Sequence, residues 1–283
     1  MVGSRAGGVK AAAGPTMLEC GTAVVSVVIP IYNQLALTRA CLESLRGTSE
    51  PFELCVVDNA SSDGTEAFFR RERLPVRLRY QRNTDNVGLI RALNQGAALA
   101  GGDALCFLHN DTEMRDVRWL ARLRAALDEP GVGLAGLYGA RRLRRDGRYA
   151  GRTIVHTLDG AALRADTVEV AAVDGVCLAL RRDVLTAAGG FDEGYGFFHG
   201  YDRELSFAVR EQGLRCVVVN APFVHRGGGT RTGANAPVRA PQDLAQRREA
   251  LARFAARWRH RLPSDVRGVR ERLADWLTAR AHR

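Results

Sequence analysis

Three features of this 283-residue chain predict an α/β fold built on an open, mostly parallel central sheet flanked by helices. Apolar, β-branched runs alternate with segments whose apolar residues recur at helical spacing. Turn clusters separate them. Three of the runs end in polar residues: Tyr32-Asn33, Asp58-Asn59 and His109-Asn110-Asp111. Sheets of this kind bind ligands beyond the carboxyl ends of their strands, and the core gains nothing from polar groups there.

The elements follow in order. VVSVVIPI at 24–31 reads as a buried strand, and Leu35, Leu37, Cys41, Leu42 and Leu45 are spaced for a helix over 35–46. FELCVVD at 52–58 is a second strand, and NASSDGT at 59–65 is a turn able to start a helix, with Ser61 or Asp63 as its cap. VRLRYQR at 76–82 alternates like a third strand. A helix over 87–99 places Val87, Ile90, Leu93 and Ala97 close to one face, and ALCFLHN at 104–110 is a fourth strand. A helix at 116–127 and a short strand at 132–138 come next, before an Arg-rich stretch over 139–168. One strand-like segment covers 168–182, a loop 189–198, a helix 202–212 ended by Gly213, and a strand 214–220. A Gly/Pro-rich loop leads to two helices, 244–261 and 264–280. The expected organisation is a leader over 1–22, a body over 23–243 and a basic helical extension over 244–283.

Composition narrows the function classes. With 46% hydrophobic and 25% charged residues, a mostly disordered chain is excluded. No apolar stretch is long enough for a spanning helix, and residues 1–22 lack the pattern of a secretory signal. Of the net charge of +10, +7 lies in 244–283, where eleven arginines face Glu249, Asp265, Glu271 and Asp275. A basic tail on a near-neutral body suggests either an anionic partner or a solvated helix face. Lys10 is the sole lysine, so the arginine excess reflects codon usage as readily as phosphate recognition, and without interleaved aromatics no nucleic-acid partner is expected. Cys20, Cys41, Cys55, Cys106, Cys177 and Cys216 have neither metal-site nor redox spacing, and read as reduced, buried thiols of a cytoplasmic protein.

Five residues carry candidate chemistry. Asp58, at a strand end, is placed to accept hydrogen bonds from a base or ribose. Asp111 ends an apolar strand where a carboxylate can hold a hard divalent cation. Asp202 and Glu204, in HGYDRELSF, offer a general base that deprotonates a hydroxyl. His225 stands at a strand end beside Gly227–Gly229 and is suited either to a structural role or to completing a metal site.

Read in this order, SVVIPIYNQ, LCVVDNASSDGT, RNTDNVGLIRALNQGA, ALCFLHNDTE, VDGVCLALRRDV, GGFDEGYGFFHGYDRELSF and FVHRGGGT resemble a family 2 glycosyltransferase of the Rossmann-like GT-A fold, over about Val24 to Thr230. The resemblance implies inverting transfer of a single sugar from a UDP-, GDP- or dTDP-linked donor, assisted by Mg²⁺ or Mn²⁺. It divides the body into a donor half, 23–112, and an acceptor half, 113–243. Pro30, Tyr32 and Asn33 would border the nucleotide and Asp58 would bind the base, with Asn59 nearby. Asn86 and Gly88 match the turn before the third helix, and Arg91 and Asn94 would face the donor. His109-Asn110-Asp111 occupies the family's D-x-D position: Asn110 would border the nucleotide, Asp111 would bind metal with His225, and His109 replaces the first acidic residue. Asp202 matches the catalytic base, with Tyr201 in place of its usual acidic neighbour and Glu204 as the later carboxylate. Gly175 and Cys177 sit where the family lines the acceptor pocket.

The acceptor classes left open are a glycan, a lipid-linked glycan, a natural product or a peptide. A non-catalytic nucleotide-sugar-binding protein of the same fold is the alternative, favoured by the altered HND motif and opposed by the retention of Asp202 and His225. A sugar-nucleotide pyrophosphorylase would need a Gly-rich basic loop where this chain reads IPIYNQ. For the C-terminal extension, Leu244, Leu251, Phe254, Trp258 and Leu262 are spaced to pack on the body. Alternatively, its Arg-rich faces with Trp258 and Trp276 would rest peripherally on the inner face of an anionic membrane.

Overall fold

A computed structural model of the chain describes residues 25–227 and 240–273. The expected leader, most of the Gly/Pro-rich loop after Arg226, Trp276 and the end of the last expected helix lie outside the described residues.

In chain order the first half comprises β1 (Val25–Ile31), α1 (Leu35–Leu45), β2 (Phe52–Asp58), α2 (Thr65–Arg71), β3 (Arg77–Arg82), α3 (Leu89–Leu99) and β4 (Ala104–Leu108). There follow β5 (Thr112–Met114), α4 (Trp119–Asp128), β6 (Val132–Gly136), β7 (Tyr138–Ala140), β8 (Arg142–Leu143), β9 (Ile154–His156), β10 (Thr167–Val170), β11 (Ala172–Val173), β12 (Cys177–Arg181) and α5 (Arg182–Ala187). The chain continues through α6 (Tyr201–Glu211), β13 (Arg215–Val219), β14 (Phe223–His225), α7 (Ala240–Arg257) and β15 (Ser264–Asp265).

Eight strands form the main sheet in the order β10-β13-β6-β12-β4-β1-β2-β3. The pairs β4-β1, β1-β2, β2-β3 and β6-β13 are parallel, whereas β12 runs against both its neighbours and β10 against β13. Helices cover both faces, which explains why β1, β2 and β4 read as unbroken apolar runs. Successive residues of β1 face opposite ways: Val27, Ile29 and Ile31 join a core that includes Cys41, Leu42 and Trp119, and Val28 joins one that includes Ile90, Leu93 and Phe207.

The structure departs from the sequence expectation in three places. The segment expected as one strand over 168–182 is three: β10 in the main sheet, β11 in a small sheet with β7 and β9, and β12 back in the main sheet. The break between β11 and β12 is a turn at Asp174-Gly175, in which the Asp174 carboxylate accepts from the Val176 backbone N–H at 3.2 Å. A Cβ on Gly175 would overlap the Tyr201 hydroxyl, so that close approach excludes other residues. The strand expected over 132–138 divides at Leu137 into β6 and β7. The helix expected from 264 begins instead as β15, paired with β8, because the Arg210 guanidinium donates to the Ser264 hydroxyl at 2.8 Å and the strand ladder takes the backbone.

α7 starts at Ala240, so the boundary expected at 243 falls inside a helix. It packs on the body through Ala250 and Phe254, joined by Trp258 just beyond its end, while Leu251 and the later Leu262 are partly buried and Leu244 stays exposed. Phe207 of α6 meets both aromatics edge-on, at centroid distances of 4.9 Å to Phe254 and 5.5 Å to Trp258. Below them the buried Glu204 carboxylate accepts from the Trp258 indole N–H at 2.7 Å and from the Tyr195 hydroxyl at 2.5 Å, and pairs with Arg257 at 3.0 Å. These partners offset the cost of burying its charge. Truncating the fully buried Phe254 to Ala is expected to cost about 3 kcal/mol in chemical denaturation. Leu244→Ala, at an exposed position of the same helix, should change stability by less than about 0.5 kcal/mol.

Candidate functional site

The carboxyl ends of β1, β2 and β4 open into a cleft of about 270 Å³. Pro30 and Tyr32 form one wall with Asn59 and Asn86. Asn33 is turned away from the cleft. It has φ 56°, its backbone N–H donates to the Ser61 hydroxyl, and its side-chain oxygen accepts from the Ser62 N–H, both at 2.8 Å. It thus ties the end of β1 to the turn after β2. Asp58 is fully buried, and its carboxylate accepts from the Ser61 N–H at 2.8 Å, the Tyr80 hydroxyl at 2.6 Å and Arg82 at 2.7 Å. These bonds fix the turn after β2, and Asp58 is not among the residues that line the cleft. Ser61 takes part in that same network, so neither it nor Asp63 caps α2: the cap position is Gly64, and the Asp63 carboxylate, one residue earlier, accepts from the Thr65 hydroxyl at 2.6 Å.

Asn59 does face the cleft. Its amide donates to the Gly88 carbonyl at 3.2 Å, and its oxygen accepts from Asn83 at 2.8 Å. The Asn86 oxygen accepts from the Gly88 N–H at 3.0 Å, closing the turn that starts α3. Gly88 has φ 88°, and a Cβ there would press on the Phe197 ring at 3.0 Å, so glycine is needed on both counts. Arg91 and Asn94, expected to face the donor, lie elsewhere. Arg91 pairs with Glu193 at 3.1 Å, and Asn94 donates to the Phe191 carbonyl at 2.9 Å and to Glu193 at 3.0 Å. Both clamp the loop after α5 onto α3.

Three ligand-type side chains converge at the cleft floor. The ligand atoms of His109, Asp111 and His225 lie within 4.8 Å of one another. Asp111 follows β4, and His225 comes from β14, which pairs antiparallel with β5 so that His225 faces Thr112. That register brings His225 Nε2 to 3.1 Å from the Asp111 carboxylate. Burial opposes the charged form of Asp111, but the hydrogen bond to His225 and the charge of the two imidazoles outweigh it, and its carboxyl is held below the usual range. Neighbouring ligands on an ion with bonds of about 2.1 Å sit about 3 Å apart, so the cluster fits one divalent cation. Asn110, between two of these residues, donates to the Thr38 hydroxyl at 3.0 Å and lines the cleft.

The opposite wall is built by the Asp174-Gly175 turn and the first turn of α6. Asp202 accepts from the Arg203 N–H at 2.8 Å and from its guanidinium at 3.3 Å. A carboxylate at a helix N-terminus is also favoured by the helix dipole. The Arg203 guanidinium stacks 4.2 Å over the Tyr149 ring. Burial, reinforced by the charge of Asp202, pushes the Asp174 carboxyl up to about 6. The Tyr201 hydroxyl lies 3.1 Å from His109 Nε2, joining this wall to the ligand cluster.

Glu204 and Cys177 do not line the cleft. Glu204 faces the opposite side of α6 toward α7, as described above. Cys177 lies in the sheet below, its sulfur 3.8 Å from that of Cys106. Residues that the sequence reading passed over include His109 as a ligand, Asp174, Arg203 and Arg247. His109 was visible in the HND triplet and Asp174 in the VDG turn. Arg247 lies outside the expected body and had no local signal.

The profile described as "Glycosyl transferase family 2" matches residues 26–188. The O-antigen biosynthesis protein RfbC of Myxococcus xanthus is 30% identical over 75% of this chain, and the match covers 18% of RfbC. The chain spans 28% and 18% of the lengths of two of the curated relatives it matches. In three dimensions the chain resembles GalNAc-T7, solved with UDP, GalNAc and Mn²⁺, at a TM-score of 0.61 and 18% identity, over 75% of this chain and 46% of that one. It also resembles the mannosyltransferase PcManGT of Pyrobaculum calidifontis, solved with GDP-Man and Mn²⁺, at a TM-score of 0.54 and 19% identity, over 90% of this chain and 79% of that one. These likenesses establish the GT-A architecture, and the profile match, which spans more than half of the chain, establishes the family: the chain belongs to glycosyl transferase family 2.

Proposed function

We propose that this chain transfers a single sugar, with inversion, from a nucleotide-diphosphate sugar to an acceptor nucleophile, with Asp202 as the general base. One observation carries the reading: a buried carboxylate, Asp202, shares a cleft with the His109–Asp111–His225 cluster. A base and a site for the departing diphosphate are then on different walls of one cavity, as inversion requires. Structural relatives that bind GDP-Man or UDP-GlcNAc support the donor class.

Pro30, Tyr32, Asn59 and Asn86 would flank the nucleotide. His109, Asp111 and His225 would hold a divalent cation, which when bound supplies positive charge against the leaving diphosphate. The acceptor would enter along the wall formed by Gly175 and Tyr201, which pack closely against each other. Asp202 takes the acceptor proton as the oxygen attacks the anomeric carbon from the face opposite the diphosphate. Arg203, bonded to Asp202, holds that carboxylate in place. No helix among the described residues is long and apolar enough to cross a membrane.

Calorimetric titration with UDP-, GDP- and dTDP-sugars, with and without Mn²⁺, tests the donor reading. One donor should bind in a metal-dependent manner, and Asp111→Ala should abolish that dependence. No donor bound by folded protein would defeat it. Two imidazoles and one carboxylate suit Mn²⁺ better than Mg²⁺. His109→Ala is therefore expected to weaken Mn²⁺ binding about tenfold by direct titration while changing Mg²⁺ binding less. Asp202→Asn should lower kcat at least about 100-fold and leave donor affinity near wild type. A separate check concerns Asp174, raised from 3.8 to about 6 in the folded chain. The unfolded chain releases this proton first, so the stability it contributes is full below pH 3.8 and declines until about pH 6. Asp174→Asn, which keeps the bond to the Val176 N–H, should raise Tm at pH 8 and leave it unchanged at pH 3.5.

A further inference from the structure

Resting on the sugar-transfer reading, we propose that Arg247 selects acceptors that carry an anionic group, a phosphate or a carboxylate, close to the attacked nucleophile. Arg247 projects from α7 into the lining of the cleft. Its position along the helix locates it. Asp243, one turn before, pairs with His199 at 2.8 Å. Ala250, one turn after, lies 3.3 Å from where a Cβ on Gly200 would sit. Residues 243, 247 and 250 share one helix face, so Arg247 lies against the 198–200 segment that leads directly into Asp202. Asp202 lines the same cleft two residues beyond that segment.

The charge accounting on that wall leaves Arg247 over. Asp202 is paired with Arg203, Asp243 with His199, Asp192 with Arg253 and Arg257, and Glu204 with Arg257. Each of these carboxylates has a basic partner, with Arg257 shared between Asp192 and Glu204. Among the described residues Arg247 has no carboxylate within ion-pair distance, and it is exposed to the cleft. A guanidinium offers a planar fork of donors that matches a phosphate or carboxylate with two parallel hydrogen bonds. A cation placed beside the base also repels a cationic acceptor, so it acts on choice as well as on affinity.

The test uses the full chain and three probes: glucose, glucose 6-phosphate and glucuronate, titrated calorimetrically with and without the nucleoside diphosphate and Mn²⁺. Wild type should bind the two anionic probes at least about tenfold tighter than glucose. Arg247→Ala should erase that advantage and Arg247→Glu reverse it, while nucleotide affinity changes less than about twofold in either variant. A gain for glucose 6-phosphate alone supports the proposal with a phosphate-bearing acceptor, and a gain for glucuronate alone supports it with a carboxylate-bearing one. Equal affinity for all three probes, or no binding of any, overturns it. A fivefold or greater loss of nucleotide affinity in Arg247→Ala also overturns it, by assigning the residue to the donor diphosphate. Nucleotide binding is read in the same samples, so failure of the transfer reading is seen separately, and the nucleotide-free titrations still report on Arg247.

Discussion

The short antiparallel pairing of Thr112–Met114 with Phe223–His225 holds the site together. It joins two segments more than a hundred residues apart and brings an imidazole to 3.1 Å from a buried carboxylate. Without that register, Asp111 would be a lone acid at the end of an apolar strand, where burial opposes its charge. With it, the carboxyl stays ionised and the histidine is oriented. The Arg226 backbone N–H also donates to the Asp111 carbonyl at 3.0 Å, so the backbone on both sides is fixed before any ligand arrives.

A second constraint is the tight approach of α6 to the Asp174-Gly175 turn. Tyr201 fills the space that a side chain at 175 would need, and its hydroxyl reaches His109. The Asp202 carboxylate on the next residue is thereby placed relative to His109, Asp111 and His225 through a continuous set of contacts. The third support is Glu204, buried between Tyr195 and Trp258, which couples α6 to α7. Seen this way, α7 is a wall of the cleft and not an appendage. Three of the eleven arginines in 244–283, Arg253, Arg257 and Arg261, pair on this surface with Asp192, Glu204 and Glu211.

Several residues chosen from sequence turned out to support the site without touching its cavity. Asp58, Asn33, Arg91 and Asn94 are polar residues near strand ends or on a helix face, the pattern that signals ligand contact. Each instead finds protein partners: the Ser61-Ser62 turn, Tyr80 with Arg82, or the 191–193 loop. A sequence shows that such a group stands at the end of a strand, but not which way it turns, because direction depends on the backbone dihedrals and on neighbours far away in the chain.

The sequence by itself determined the α/β class, the order of strands and helices through β4, and the cleft at the strand carboxyl ends, and it singled out Asp111, Asp202 and His225, which line that cleft. These follow from local periodicity and from polar residues ending apolar runs, both properties of short windows. Only the tertiary structure decided that β12 is reversed, that 168–182 breaks into three strands, that 264–265 pairs with β8, and that His109, Asp174 and Arg247 join the cleft. Those outcomes depend on pairings between distant segments, where the energy lies in contacts that no local window contains.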